Sequence, residues 1–148
     1  MFHFRAKKNL YQYQSRSLQL DLEPGWVEYK YKNQSIDDPL TFIKGKKGVG
    51  ALQISLATAK HGESFNINEW LKRNNQEYIT DVRTYKSGAW QVYEYEDAKD
   101  GKYIKHIQLT KLNVIVFITY NCEQSDLDKK ELNEAITIAK SVQVISNN

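Results

Sequence analysis

The chain has 148 residues, with 21 Lys+Arg against 18 Asp+Glu, so its net charge is only +3, and 41% of it is hydrophobic. That length fits a single domain over residues 1–148, and the composition is that of a folded chain, not a disordered tail. A single cysteine excludes an intrachain disulfide framework and a thiolate zinc cluster.

The N-terminal segment, residues 1–16, is polar and aromatic and reads as an arm or an edge strand. Charged and amide residues interrupt it every few positions, so no signal peptide is expected. Leu18, Leu20 and Leu22 alternate with polar residues, the pattern of a half-buried strand. Pro24-Gly25 breaks it. Trp26 to Lys32 predicts a second strand, Asp37-Asp38-Pro39 a turn, and Leu40, Phe42 and Ile43 a short third strand. Lys44 to Gly50 reads as a solvated glycine-lysine loop. It lacks the spacing of a phosphate-binding Walker loop and leads into a strand at Ala51 to Thr58, not into a helix.

Asn66 predicts a helix cap, with Glu69 at the capping-box distance and Ile67, Trp70 and Leu71 as the buried stripe. Asn74-Asn75 ends that helix. Residues 78 to 122 predict a strand meander: Tyr78–Tyr85, a turn at Lys86-Ser87-Gly88, Trp90–Asp97, an Asp100-Gly101 hairpin turn, Lys102–Thr110, a tight turn near Leu112, and Asn113–Cys122. The last strand is apolar on both faces, which calls for covering layers on both sides of the sheet. A second helix is expected from near Ser125, with Leu132, Ala135, Ile136 and Ala139 at helical spacing, and Val142–Ile145 closes the chain as a short strand or tail. The order strands, helix, meander, helix gives an α+β fold: a largely antiparallel sheet with helices packed on it as a three-layer α/β/α sandwich.

Chemistry is sparse. His3, His61 and His106 are scattered in sequence, and no metal-ligand spacing links them. The carboxylate run Glu94, Glu96, Asp97 and Asp100 lacks an EF-hand pattern, and a two-residue turn at Asp100-Gly101 sets Glu96 opposite Lys105 as a cross-strand ion pair. His106 and Cys122 lie on adjacent strands. A turn at 111–112 or at 112–113 leaves them roughly 10–17 Å apart, too far for a catalytic dyad. No catalytic residues, metal or cofactor are therefore expected. Lys and Arg outnumber Asp and Glu in the first fifty residues and are outnumbered in the next fifty, a mild asymmetry that falls short of a nucleic-acid-binding face. The longest apolar run, Val114 to Ile118, is too short to span a membrane.

Ten Tyr, three Trp and five Phe are the more informative feature. Two-residue turns in the meander place Trp90, Val92, Ile107, Leu109, Val114, Val116 and Ile118 on one face as a plain core. The other face then carries Gln91, Tyr93, Tyr95, Ile104, His106, Gln108, Phe117 and Thr119, a mixture of rings and hydrogen-bonding tips. Gln91, Tyr93, Tyr95, His106 and Gln108 are the candidate binding residues, for a protein partner or a small ligand, unless a helix or the arm covers them.

Pro24-Gly25-Trp26 after a strand, Gly48-Val49-Gly50-Ala51-Leu52-Gln53-Ile54-Ser55 entering a strand, and the closing Ala139-Lys140-Ser141-Val142 together resemble the PsbP/Mog-like group of α/β/α sandwiches over roughly residues 17–145. The chain is also similar to small immunity-type proteins that neutralise a toxin. The resemblance implies a bacterial protein that works by binding another protein, a Ran GTPase or photosystem subunits in the named members, and carries no catalytic motif. The expectation is a non-enzymatic cytoplasmic domain acting through an unidentified protein partner, without membrane or nucleic acid. The alternative is a small-ligand module using the Tyr/His face.

Overall fold

The computed structural model describes residues 9–59 and 64–145. In chain order the strands are β1 (Leu10–Tyr13), β2 (Arg16–Gln19), β3 (Val27–Tyr29), β4 (Leu40–Ile43) and β5 (Gly50–Thr58). Helix α1 (Ile67–Arg73) follows, then β6 (Arg83–Ser87), β7 (Trp90–Lys99), β8 (Lys102–Lys111) and β9 (Val114–Glu123). Helix α2 (Lys129–Lys140) and β10 (Gln143–Ile145) complete the chain.

Seven strands form one antiparallel sheet in the order β3-β4-β5-β9-β8-β7-β6. Its centre is the expected meander. Asp100 and Gly101 have φ of +55° and +76°, the left-handed pair that a two-residue hairpin turn requires. This pins Glu96 opposite Lys105 and Tyr95 opposite His106. The next hairpin turns on Leu112-Asn113, so His106 faces Thr119. Cys122, three residues beyond Thr119, is on the opposite side of the sheet, so His106 and Cys122 are separated by the sheet as well as by distance.

One face buries Val92, Ile107, Leu109, Val116 and Ile118, as the alternation predicts. Helix α2 covers it with Ala135, Ile138 and Ala139. The other face meets α1: the Trp70 indole stacks on Phe117 at 4.5 Å. The two-sided strand β9 is thus covered on both sides, but a seven-residue helix covers only part of its face, and Ile115, Phe117 and Thr119 stay half-buried.

Three expectations need correction. The chain holds a second, three-stranded sheet, β1-β2-β10, which lies with α2 over the main core. Its Leu18, and Leu20 just beyond β2, are fully buried, and Val144 pairs with Leu18 across most of the chain length, a contact that no local pattern announces. Of the proposed arm, residues 10–13 are β1, and residues 1–8 lie outside the described part. The strand expected over Tyr78–Tyr85 instead runs Arg83–Ser87, and the turn expected at Lys86-Ser87-Gly88 lies at Gly88-Ala89, because Lys86 pairs with Gln91 and Ser87 with Trp90. Helix α1 ends in a Schellman turn, with Asn75 at φ +55° and Gln76 N–H donating to Leu71 O at 2.8 Å. The following residues run over the sheet instead of joining it, because Gln76 and Tyr78 bond to side chains of β7. The second helix starts at Lys129, not near Ser125; Gln124–Asp126 is a 3₁₀ turn, and Asp128 caps α2 by accepting the Lys130 N–H at 3.0 Å.

The glycine-lysine loop is not merely solvated. The carboxylate of Glu131, 1% exposed on the first turn of α2, accepts the N–H of Val49 at 3.1 Å and of Gly50 at 3.0 Å. It also accepts the Tyr120 hydroxyl. Burial pushes the Tyr120 phenol up, and the bond to Glu131 pushes it further. Lys44 pairs with Glu134 one turn along at 2.6 Å, and the Trp26 indole N–H also reaches Glu134, at 3.4 Å. A Cβ on Gly50 would sit 2.5 Å from the Tyr120 ring and 2.7 Å from the Asn121 carbonyl, so glycine is obligatory there.

Glu131→Ala leaves two backbone donors and a phenol without an acceptor. It is expected to destabilise the fold by about 3–4 kcal/mol in urea unfolding, with Glu131→Gln intermediate because its amide oxygen still accepts. Gly50→Ala is expected to lose about 2–3 kcal/mol in the same measurement. A loss below about 1 kcal/mol for Glu131→Ala would show that the carboxylate does not hold the loop.

Candidate functional site

The five candidate residues do share one face of β7 and β8, with Tyr93 opposite Gln108 and Tyr95 opposite His106. The structure brings Tyr95, His106 and Gln108 together. The Tyr95 and His106 rings stack at 4.4 Å and 9°, and Gln108 Nε2 lies 3.5 Å from the Tyr95 hydroxyl. That hydroxyl donates to Gln76 Oε1 at 3.0 Å and accepts the Trp70 indole N–H at 3.4 Å. Tyr95 and Gln108 are each only 2% exposed. Phe65 lies over Tyr93 at 5.3 Å. Gln91 instead reaches the edge of the sheet, donating to the Tyr85 carbonyl at 3.1 Å. The face is therefore roofed by α1 and the segment after it, and the candidate residues form a packed layer, not an open pocket.

Sequence reading missed Asp97, Gln76 and Tyr78, which complete this network. Asp97 is buried on the same face and accepts the Tyr78 hydroxyl at 2.8 Å and Gln76 Nε2 at 3.4 Å. The even spacing of Tyr93, Tyr95 and Asp97 was the available signal. His106 Nε2 and Gln108 Oε1 are buried and without a hydrogen-bond partner among the described residues. Burial lowers the His106 imidazole below its ordinary value, against the opposing pull of Asp97. His3 and His61 lie outside the described residues.

The carboxylate run splits between the two faces by strand parity. Glu94 and Glu96 sit with Lys105, and Asp97 sits with His106. The expected Glu96–Lys105 pair forms at 3.5 Å, but the buried Glu94 holds Lys105 closer, at 2.9 Å, and accepts the Tyr85 hydroxyl at 2.5 Å. Burial alone would raise the Glu94 carboxyl; the bonds from Tyr85 and Lys105 outweigh it and hold the group below the usual range. Burial, together with that bond, pushes the Tyr85 phenol up to about 12. Among the described residues no group of three His, Cys, Asp or Glu side chains could hold a metal ion.

Besides Tyr78, 57% exposed on the roof of the Tyr95–His106 face, accessible aromatic surface lies on the outer edge of the main sheet. Among the described residues strand β3 pairs only with β4. Val27 and Tyr29 project from the same side, 49% and 44% exposed, and Tyr31 packs edge-to-face on Tyr29 at 5.0 Å while itself 46% exposed. Ile36 in the following turn is 71% exposed.

No protein-family model and no curated protein matches the chain. Solved structures do. The cyanobacterial PsbP (CyanoP) of Synechocystis sp. PCC 6803 superposes with a TM-score of 0.60 at 11% identity, over 98% of this chain and 98% of that one. The fold is PsbP-like. LpqN, involved in cell envelope biogenesis of Mycobacterium tuberculosis, gives a TM-score of 0.52 at 7% identity, over 90% of this chain and 86% of LpqN. A Bacteroides thetaiotaomicron VPI-5482 protein gives 0.55 at 16% identity; it covers 87% of this chain, which spans less than half, 45%, of that longer one. The PsbP-like resemblance expected from the sequence holds as a fold, an antiparallel sheet with helices against it. No helix among the described residues is long and apolar enough to cross a membrane.

The depressed His106 titration has a stability consequence. Between the lowered native value and the ordinary value of about 6.5, the unfolded chain binds the proton that the native one refuses. Stability is therefore unaffected by His106 above about pH 6.5 and falls as the pH drops below it, by up to about 1.4 kcal/mol per pH unit. Urea unfolding from pH 7.5 to 5.0 should show this decline in the native chain and a flatter profile for His106→Asn. Parallel profiles would place the imidazole in contact with water.

Proposed function

We propose that this chain is a non-enzymatic binding domain that acts in the cytoplasm through a protein partner, docked along the β3 edge. The exposed Val27–Tyr29–Tyr31 row carries this reading. Free sheet edges are ordinarily blunted by charge or proline because their unpaired N–H and C=O groups recruit another strand. Here Val27, Tyr29 and Tyr31 alternate with Glu28, Lys30 and Lys32, so one side of the edge offers apolar and tyrosine side chains beside those groups, and tyrosine gives large contact area with little entropy to lose. Addition of a partner strand would use the backbone groups for affinity and the Tyr29/Tyr31 pair for specificity. Immunity-type neutralisation of a toxin is the specific form proposed. The fold shared with LpqN makes a partner of the cell envelope the second setting.

The small-ligand alternative at Tyr93, Tyr95 and His106 has one observation in its favour, the unpartnered buried atoms of His106 and Gln108. Its ligand would have to displace Trp70 and Gln76, so the β3 reading is preferred.

A photo-cross-linking amino acid at position 29, expressed in the native host, should give one discrete adduct that the same group at exposed Lys99 does not. Tyr29→Glu should abolish the interaction while leaving the unfolding free energy in urea within about 0.5 kcal/mol of native. For the immunity form, growth arrest by the captured protein should be relieved by the native chain and not by Tyr29→Glu. Identical patterns at positions 29 and 99 would refute docking at β3.

A further inference from the structure

A groove of about 470 Å³ opens between the small sheet and the main sheet, at the end of the molecule opposite the Asp100-Gly101 turn. Its floor is apolar: Trp90, Val114 and Val144, with Ile145 and Leu112 at the sides. The Trp90 ring is fixed there by its N–H bond to the Val142 carbonyl at 2.9 Å. Arg16 and Lys111 stand at the groove, and no carboxylate of the described residues lines it. A shallower depression on the other side of Leu112 adds Lys86, again with no acidic residue among those described. None of these three cations has an ion-pair partner among the described residues, a state they share with most Lys and Arg there; Lys44, Arg73, Lys102 and Lys105 are paired.

Leu112 is a second, independent observation. It is 93% exposed and has φ of +54°. Glycine or asparagine would relieve both the steric and the solvation penalty at a hairpin tip. A leucine there is accounted for if hydrocarbon lies against it.

We propose that this groove binds a soluble amphiphilic anion: a single-chain molecule with its acid group at Arg16 and Lys111 and its hydrocarbon over Trp90 and Val144 toward Leu112. The volume is that of an ordinary small-ligand site. A largely apolar lining with two cations and, among the described residues, no carboxylate selects for negative charge on an apolar body. This site is remote from β3 and stands or falls independently of the protein-docking reading.

Decanoate serves as the probe, titrated below its micelle concentration into the ¹⁵N-labelled chain. Saturable shifts are expected at Leu112, Val144 and the Trp90 indole, with a Kd below about 1 mM. Methyl decanoate, which lacks the charge, and the surface variant R16Q/K111E should each bind about tenfold more weakly or worse. A second variant, Val144→Trp, which fills the groove without touching the cations, should abolish the shifts while the spectrum stays folded. Vesicles of anionic phospholipid should not compete with monomeric decanoate. Absence of saturation, equal affinity for the ester or for R16Q/K111E, shifts centred elsewhere, or binding to vesicles alone would each overturn the proposal.

Discussion

The fold depends on one buried carboxylate. Glu131 sits on the first turn of α2, where the helix dipole favours negative charge. It accepts two successive backbone N–H groups from the entry to β5 and a hydroxyl from β9. Strands β5 and β9 are the long central pair of the main sheet, so this single group fixes α2 against both. A buried carboxylate is tolerable only when its oxygens are fully bonded, and here three donors converge on it. Gly50 is part of the same constraint, since Tyr120 occupies the space that a side chain would take.

The same logic explains why the Gly45–Gly50 loop is not an anion site for an outside ligand. Adjacent N–H groups in a glycine loop are the usual means of holding phosphate. Those of Val49 and Gly50 are already occupied by a carboxylate from the chain's own helix, and Lys44 is paired with Glu134. Arg16, Lys86 and Lys111, which have no ion-pair partner among the described residues, are at a different place, where two sheets leave a gap between them.

The two faces of the meander divide the polar chemistry cleanly. Strand parity sends Glu94 and Glu96 to Lys105 and Asp97 to the Tyr95–His106 side. Each buried acid then has donors: Tyr85 and Lys105 for Glu94, and Tyr78 and Gln76 for Asp97. The residues that look most like a site in the sequence are therefore largely occupied with holding α1 and the meander edge. Exposed apolar side chains lie along the short strand β3 and at the Leu112 tip, and also at Leu10, Val49 and Tyr78.

The sequence by itself determined the α+β class and the β7–β8 hairpin, while it left the β8–β9 turn open between 111–112 and 112–113. Asp100-Gly101 admits essentially one turn, and a period of two then assigns every side chain from Trp90 to Thr110 to a face. It also determined α1, because Asn66 and Glu69 are local neighbours whose capping needs nothing distant. The tertiary structure alone decided the rest. The pairing of β10 with β2 joins Val144 to Leu18, and the Glu131 bond joins residues more than eighty positions apart. The roof over Tyr95 and His106 depends on where a seven-residue helix comes to rest. Such contacts arise from the closure of long loops around a shared core, and no local spacing encodes which distant donor will meet which acceptor.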